Sequence, residues 1–316
     1  MTRPLRAQAQ EAAVPLIGRC SFPGPGVPLA CAVSGGADSL ALLVLAVVAG
    51  CEVVAHHVDH GLREDSGQDV RVVNEVAAEL GIDVVVHRVS PGAGPNLEAR
   101  ARAARFAAMP AGVATGHTAD DQAETVLLNL LRGAATDGLA AMRAGPRHPI
   151  LALRRAETHA LCAQLALHPV EDPTNRDPSY LRNRIRHELI PVLCELAGRD
   201  VVPVLARQAG LLADDAALLG ELAAALDPTD ARAIADAPTP LGRRALREWL
   251  RRGHPPDLAT VDRVLSVAAG RTLAADVGSG RSVRRSQGRL RLEQAPAQPL
   301  AAQDHGVPSC GPGVPD

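Results

Sequence analysis

Residues 28–39 read Pro28-Leu29-Ala30-Cys31-Ala32-Val33-Ser34-Gly35-Gly36-Ala37-Asp38-Ser39, and the chain continues apolar from Leu40 to Gly50. The apolar run before Ser34 predicts a buried strand. The longer apolar run closed by Gly50 predicts a packed helix. A strand, a glycine turn and a helix start together make an anion site. Glycines let the backbone approach a ligand, and the helix start presents unpaired amides and the positive end of its dipole. The alternative is an ordinary tight turn in which Ser and Asp cap a helix. No Gly-Lys-Ser/Thr follows the turn, so this is not a Walker A loop.

Strands and helices alternate outward from this point. Strands are predicted at 52–58, 83–89 and 112–116, and helices at 4–20, 68–80, 96–109 (with Asn96 as N-cap) and 119–132. Regular β–α alternation predicts an α/β fold with a doubly wound parallel sheet, whose ligands sit at the carboxyl ends of the strands. Beyond Pro191 the strand signal fades. Helices are predicted at 208–226, 241–252 and 258–269, and a hairpin at 281–293. The expected organisation is an N-terminal helix packing on the sheet domain (1–27), a catalytic α/β domain (28–195), a smaller, mainly helical substrate domain (196–294) and a disordered tail (295–316).

Composition narrows the chemistry. With 316 residues the chain can bury one large core or two modest ones. Phe22, Phe106, Tyr180 and Trp249 are its only aromatics, so the core rests on Ala, Leu and Val. All 33 basic residues are arginine, which excludes a catalytic lysine from this chain. The net charge of −2 advertises no polyanion partner. Twelve arginines against four acids between Arg243 and Arg291 nevertheless give that band +8. It reads either as a phosphate-contacting surface or as arginines solvating helix faces. The six cysteines are scattered with no Cys-x-x-Cys pair, which points away from zinc, iron–sulfur clusters and disulfides. No apolar run is long enough to span a membrane and no apolar leader opens the chain, so a cytoplasmic protein is expected.

Four further clusters carry chemistry. His57-Val58-Asp59-His60-Gly61-Leu62-Arg63 closes the second predicted strand, where a nucleotide contact by His57 and Asp59 suits the position better than metal chelation. On the helix that begins at Asn96, Arg102 and Arg105 share a face and suit phosphate oxygens or an adenylate, or else salt bridges on a solvated face. In Gly116-His117-Thr118-Ala119-Asp120-Asp121-Gln122-Ala123-Glu124, Thr118 and Asp121 read as a capping box. The functional alternative is that Asp121 and Glu124 present paired carboxylates beside His117, suited to an ammonium group. The last cluster, Tyr180-Leu181-Arg182-Asn183-Arg184-Ile185-Arg186-His187, is basic and follows Glu171–Asp177.

Taken together and in this order, these segments resemble the bacterial tRNA(Ile)-lysidine synthases, members of the ATP pyrophosphatase (PP-loop) group whose loop pattern is Ser-Gly-Gly-x-Asp-Ser. The likeness spans most of residues 28–195 and extends more loosely to Leu241–Leu250. It is to the short form, which lacks an extra C-terminal domain. Two departures stand out: the family's Arg-Pro-Leu-Leu element appears as His148-Pro149-Ile150-Leu151, with Arg147 one place early, and Phe106 stands where a tyrosine is usual. The resemblance implies a Rossmann-like sheet domain and an ATP-dependent reaction. The wobble cytidine of an isoleucine tRNA with a CAU anticodon is adenylated at O2, and free L-lysine then attacks C2. It implies ATP binding by Ser34, Gly35, Gly36, Ala37, Asp38 and Ser39 with His57 and Asp59, and Mg²⁺ held by Asp38. Arg102 and His117 would stabilise the adenylate, while Asp121 and Glu124 would position lysine. Arg105, Arg182, Asn183, Arg186, Arg243, Arg244 and Arg247 would contact the tRNA. A homodimer is among the expected assemblies. The rivals are another PP-loop enzyme, such as a thiolase, which would want a cysteine pair, or an amidotransferase synthetase, which would want a glutaminase domain. A nucleotide-sensing protein would have no reason to carry His117, Asp121 and Glu124 together.

Overall fold

The strand, glycine turn and helix form as read. The computed structural model describes residues 4–59, 66–89, 100, 104, 107–170, 173–253 and 255–294. The chain divides into two compact units, residues 1–216 and 217–316.

The first unit runs α1 (Leu5–Ile17), β1 (Pro28–Ala32), α2 (Ala37–Val48), β2 (Glu52–Asp59), α3 (Ser66–Leu80), β3 (Asp83–Arg88), α4 (Ala119–Leu131) and α5 (Arg155–Gln164). A helical run over 181–197 (α6) follows, with a π-helical turn at Ile185–Leu189, and then α7 (Val202–Ala224). β1 pairs in parallel with β2, and β2 with β3. On the free side of β1 the Ala32 amide donates to the Ala114 carbonyl and the Ala114 amide to the Ala30 carbonyl, each at 2.8 Å. The strand expected at 112–116 is thus a single bridge at Ala114, too short a segment between Gly112 and Gly116 to propagate a ladder. After building outward to β3 the chain returns to the opposite side of β1. That reversal is the switch point at which open α/β sheets bind ligands, and the Ser34 loop leaves β1 there.

α2 anchors this unit. Leu40 through Ala46 are each 0% exposed, as expected for a helix apolar on every face. It packs against α1, α5 and the sheet, so the register of Asp38 and Ser39 at its start is set by the core. α7 begins at Val202, six residues before the expected start at 208, because Pro203 falls in the first turn, where no amide hydrogen is needed. The boundary between the units falls inside this helix.

The second unit contains α8 (Ala231–Asp236), α9 (Thr239–Leu250), α10 (Leu258–Ala268) and an antiparallel sheet of β4 (Ala274–Gly278), β5 (Arg281–Ser286) and β6 (Arg289–Gln294). The expected hairpin is β5–β6. β4 was missed because Ala-Ala-Asp-Val-Gly carries little β-branched signal. Trp249 packs partly buried on this unit's apolar core. The tail at 295–316 lies outside the described residues.

Candidate active site

The loop has the geometry of an anion cradle. Gly35 sits at φ +90°, a conformation that favours glycine, and Gly36 occupies the N-cap of α2 with no side chain capping the helix. The Ser39 hydroxyl donates to the Gly36 carbonyl at 2.8 Å and accepts the Ser34 amide at 3.1 Å, which closes the turn on itself. Behind the loop a Cβ on Gly116 would lie 2.6 Å from the Asp38 carbonyl oxygen, so only glycine lets this segment pass the helix start. A helix start without a side-chain cap is the arrangement that takes a phosphate.

Asp38, one residue into α2, accepts hydrogen bonds from the Thr158 hydroxyl and, at 3.4 Å, from Arg155 Nε. Both partners stand on α5. Arg155 also reaches Asp121 Oδ1 at 2.9 Å and Glu124 Oε1 at 3.1 Å. Two further arginines converge on the same acids from α6. Arg182 binds Glu124 Oε2 at 2.8 Å and Asp121 Oδ1 at 3.1 Å. Arg186, on the π-helical turn, grips Glu124 through Nε at 2.6 Å and Nη2 at 3.1 Å. Three guanidiniums therefore face three carboxylates, and Glu124 is wholly buried among them.

The three acids are not equivalent. Burial lifts the Asp38 carboxyl above the ordinary carboxylate range, against the pull of Thr158 and Arg155. Burial pushes Asp121 the same way, yet Arg155, Arg182 and the Thr118 amide outweigh it and the net shift is downward. The difference follows from the contacts, since Asp38 has one guanidinium at 3.4 Å where Asp121 has two within 3.1 Å. The capping box at Asp121 forms as read. Its Oδ2 accepts the Thr118 amide and hydroxyl at 2.9 Å as a helix cap, while its Oδ1 meets the arginines.

His117 lies just before α4, its Nδ1 2.6 Å from the Thr115 hydroxyl. His57 is 4% exposed, and its Nδ1 donates to the Val33 carbonyl at 2.8 Å, so it ties β2 to the segment that feeds the loop. Asp59 lines an open cleft of about 580 Å³ with Val70, Val86 and Arg88. Arg102 and Arg105 lie outside the described residues. Arg182 and Arg186, which the resemblance implies as tRNA contacts, are paired with Glu124. Asn183 is a strut, donating to the Thr174 and Asp177 carbonyls. In the second unit Arg243 makes a bidentate pair with Asp262 at 2.8 and 3.0 Å, while Arg244 and Arg247 are half-buried along α9.

Sequence reasoning missed Arg155 and Thr158. Their signal was present, because they are three residues apart on a helix that follows the His148–Leu151 element directly. Burial pushes the Cys31 and Cys162 thiols up to about 12, so neither supplies a thiolate at neutral pH. Among the described residues no three His, Cys, Asp or Glu side chains group as metal ligands, and no helix is long and apolar enough to cross a membrane.

Comparison with known proteins agrees with this geometry. The PP-loop domain family matches residues 22–193. A tRNA(Ile)-lysidine synthase of Nocardia farcinica is 44% identical over 245 residues, covering 72% of this chain and 77% of that protein. One from Rhodococcus erythropolis is 42% identical over 238 residues, covering 70% and 73%. One from Rhodococcus opacus is 37% identical over 294 residues, covering 85% and 90%.

Proposed function

The chain belongs to the tRNA(Ile)-lysidine synthase family of PP-loop proteins, and from that premise we propose that it ligates free L-lysine to C2 of the wobble cytidine in an isoleucine tRNA with a CAU anticodon. It is an ATP-dependent ligase that forms a carbon–nitrogen bond. Cytidine O2 attacks the α-phosphorus of ATP and pyrophosphate leaves. The lysine amine then attacks C2, the C2–O2 bond breaks, AMP departs with that oxygen, and the amine gives up a proton.

One observation carries the reading. Arg155 touches Asp38 in the loop and both Asp121 and Glu124, so the phosphate cradle and the acidic seat lie within one side chain's span. A site that couples ATP cleavage to an amine needs that proximity. The loop amides and the α2 dipole would hold the pyrophosphate and take up the charge that grows on it. A carboxylate oxygen suits Mg²⁺, and Asp38 would hold the ion once Arg155, at 3.4 Å, gives way. When bound, Mg²⁺ supplies charge neutralisation at the phosphates.

Asp121 and Glu124 would seat the lysine ammonium groups. Both acids already carry guanidiniums, so an incoming ammonium exchanges with one of them. Arg182 is the most exposed of the three, at 33%, and is the natural one to leave. Released, it faces outward as a phosphate contact, which reconciles its inward position here with tRNA binding. Exposed Arg184 and the arginine band of the second unit would supply the remaining phosphate contacts.

The test uses ATP, labelled lysine and two transcripts, one with a CAU anticodon and one with UAU. Label should enter only the CAU transcript, with one AMP released per lysine. Label in both transcripts, or pyrophosphate release with no lysine transfer, would overturn the proposal.

A further inference from the structure

Thr115 sits where the segment after the Ala114 bridge ends, and its hydroxyl meets three partners. His117 Nδ1 lies at 2.6 Å, His148 Nδ1 at 2.8 Å and the Arg147 carbonyl at 3.2 Å. The two rings stand edge to face with centroids 5.2 Å apart. A threonine hydroxyl has one hydrogen to give and two lone pairs to offer. The Arg147 carbonyl can only accept, and it also takes the Thr115 amide at 2.9 Å, which holds the segment in place. If the hydroxyl hydrogen went to either imidazole, two oxygens would face each other at 3.2 Å with no hydrogen between them. If it goes to the carbonyl, both lone pairs are left for Nδ1–H groups and every contact is attractive.

We propose that Thr115 and His148 are positioning residues that lock His117 as its Nδ1–H tautomer, with the lone pair on Nε2. His117 then takes up at Nε2 the proton that the lysine amine gives up, and it donates to an anionic oxygen from that nitrogen only after doing so. Its role in the reaction is thereby assigned to one atom and one order of events. His117 in turn helps hold Asp121 ionised. Burial, with Arg147 adding to it, holds the His148 ring below its ordinary pKa and therefore neutral near pH 7.

The assignment deepens the ligase reading of this site, but its primary test does not depend on activity. Imidazole ¹⁵N spectra of the full chain, assigned through His117→Gln, report which ring nitrogen carries hydrogen. Wild type and Thr115→Ser should show His117 protonated at Nδ1. Thr115→Val should shift His117 towards the Nε2–H form. If that variant does not fold, His148→Leu tests the cluster from its other side, and there the His117 resonances should move. In lysine transfer, Thr115→Val should lower kcat about ten- to hundredfold at unchanged KM for ATP, and Thr115→Ser should recover most of it. Nε2–H in wild type, or a tautomer indifferent to Thr115→Val, overturns the assignment. The expected spectra in a protein that transfers no lysine would uphold the assignment and sink the ligase reading instead.

Discussion

Glu124→Gln is the most informative single change. Glu124 is 0% exposed and its two oxygens receive four contacts from Arg155, Arg182 and Arg186 at 2.6–3.1 Å. Glutamine keeps the shape but carries no charge, and it points an amide N–H₂ at guanidiniums that can only donate. Removing one partner of a buried ion pair costs about 3–5 kcal/mol. The three arginines are 20–33% exposed, so water takes over part of their charge, and we expect a loss of about 2–4 kcal/mol after that screening. At about 2–4 °C per kcal/mol for a unit of this size, the first unit's melting transition should fall by about 5–15 °C. Scanning calorimetry measures it. Trp249 lies in the second unit, so its fluorescence transition serves as a control. Asp121→Asn should cost less, because the one amide oxygen that remains can still cap α4. In folded Glu124→Gln protein below its transition, KM for lysine should rise while KM for ATP holds. A fall below about 2 °C, or equal losses for lysine and ATP, would refute the view that Glu124 organises the arginines and seats the amine.

Other outcomes follow from individual contacts. Gly116→Ala should abolish pyrophosphate release, because its Cβ would sit 2.6 Å from the Asp38 carbonyl and displace the loop; near-wild-type release would show that the loop tolerates the shift. Burial, with His87 beside it, lowers the pKa of His56, and burial with Arg147 lowers that of His148, both from the usual 6.5. The unfolded chain then binds more protons in this range, so their contribution to stability is complete above about pH 6.5 and is lost as pH falls through it towards the folded values. Replacing both with glutamine should flatten denaturant midpoints between about pH 5 and 7, and an unchanged slope would contradict this. Arg243→Ala breaks a pair whose members are about 40% exposed, so Tm should stay within about 2 °C while the salt slope of tRNA affinity falls by about one. An unchanged slope would remove Arg243 from the tRNA surface.

How far the residues alone led depended on the kind of signal. The Ser34 loop and α2 were readable because glycine conformation and an all-apolar helix are local properties. The Thr118–Asp121 cap was readable for the same reason. The inward turn of Arg182 and Arg186 was not. Spacing puts two arginines on one helix face but does not say whether that face meets RNA or carboxylates, and here Glu124 decides it from α4. Arg155 escaped notice because its importance lies in three acids brought together from α2 and α4. β4 and the bridge at Ala114 were misjudged where segments are short and long-range pairing, rather than propensity, sets the outcome.

The central claim is that ATP activates cytidine O2, so that lysine displaces this oxygen together with AMP. A CAU transcript carrying ¹⁸O only at O2 of the wobble cytidine tests it in one turnover. Mass spectrometry of the products should find one ¹⁸O in AMP for each lysidine formed and none in pyrophosphate. Unlabelled AMP alongside lysidine would contradict the account.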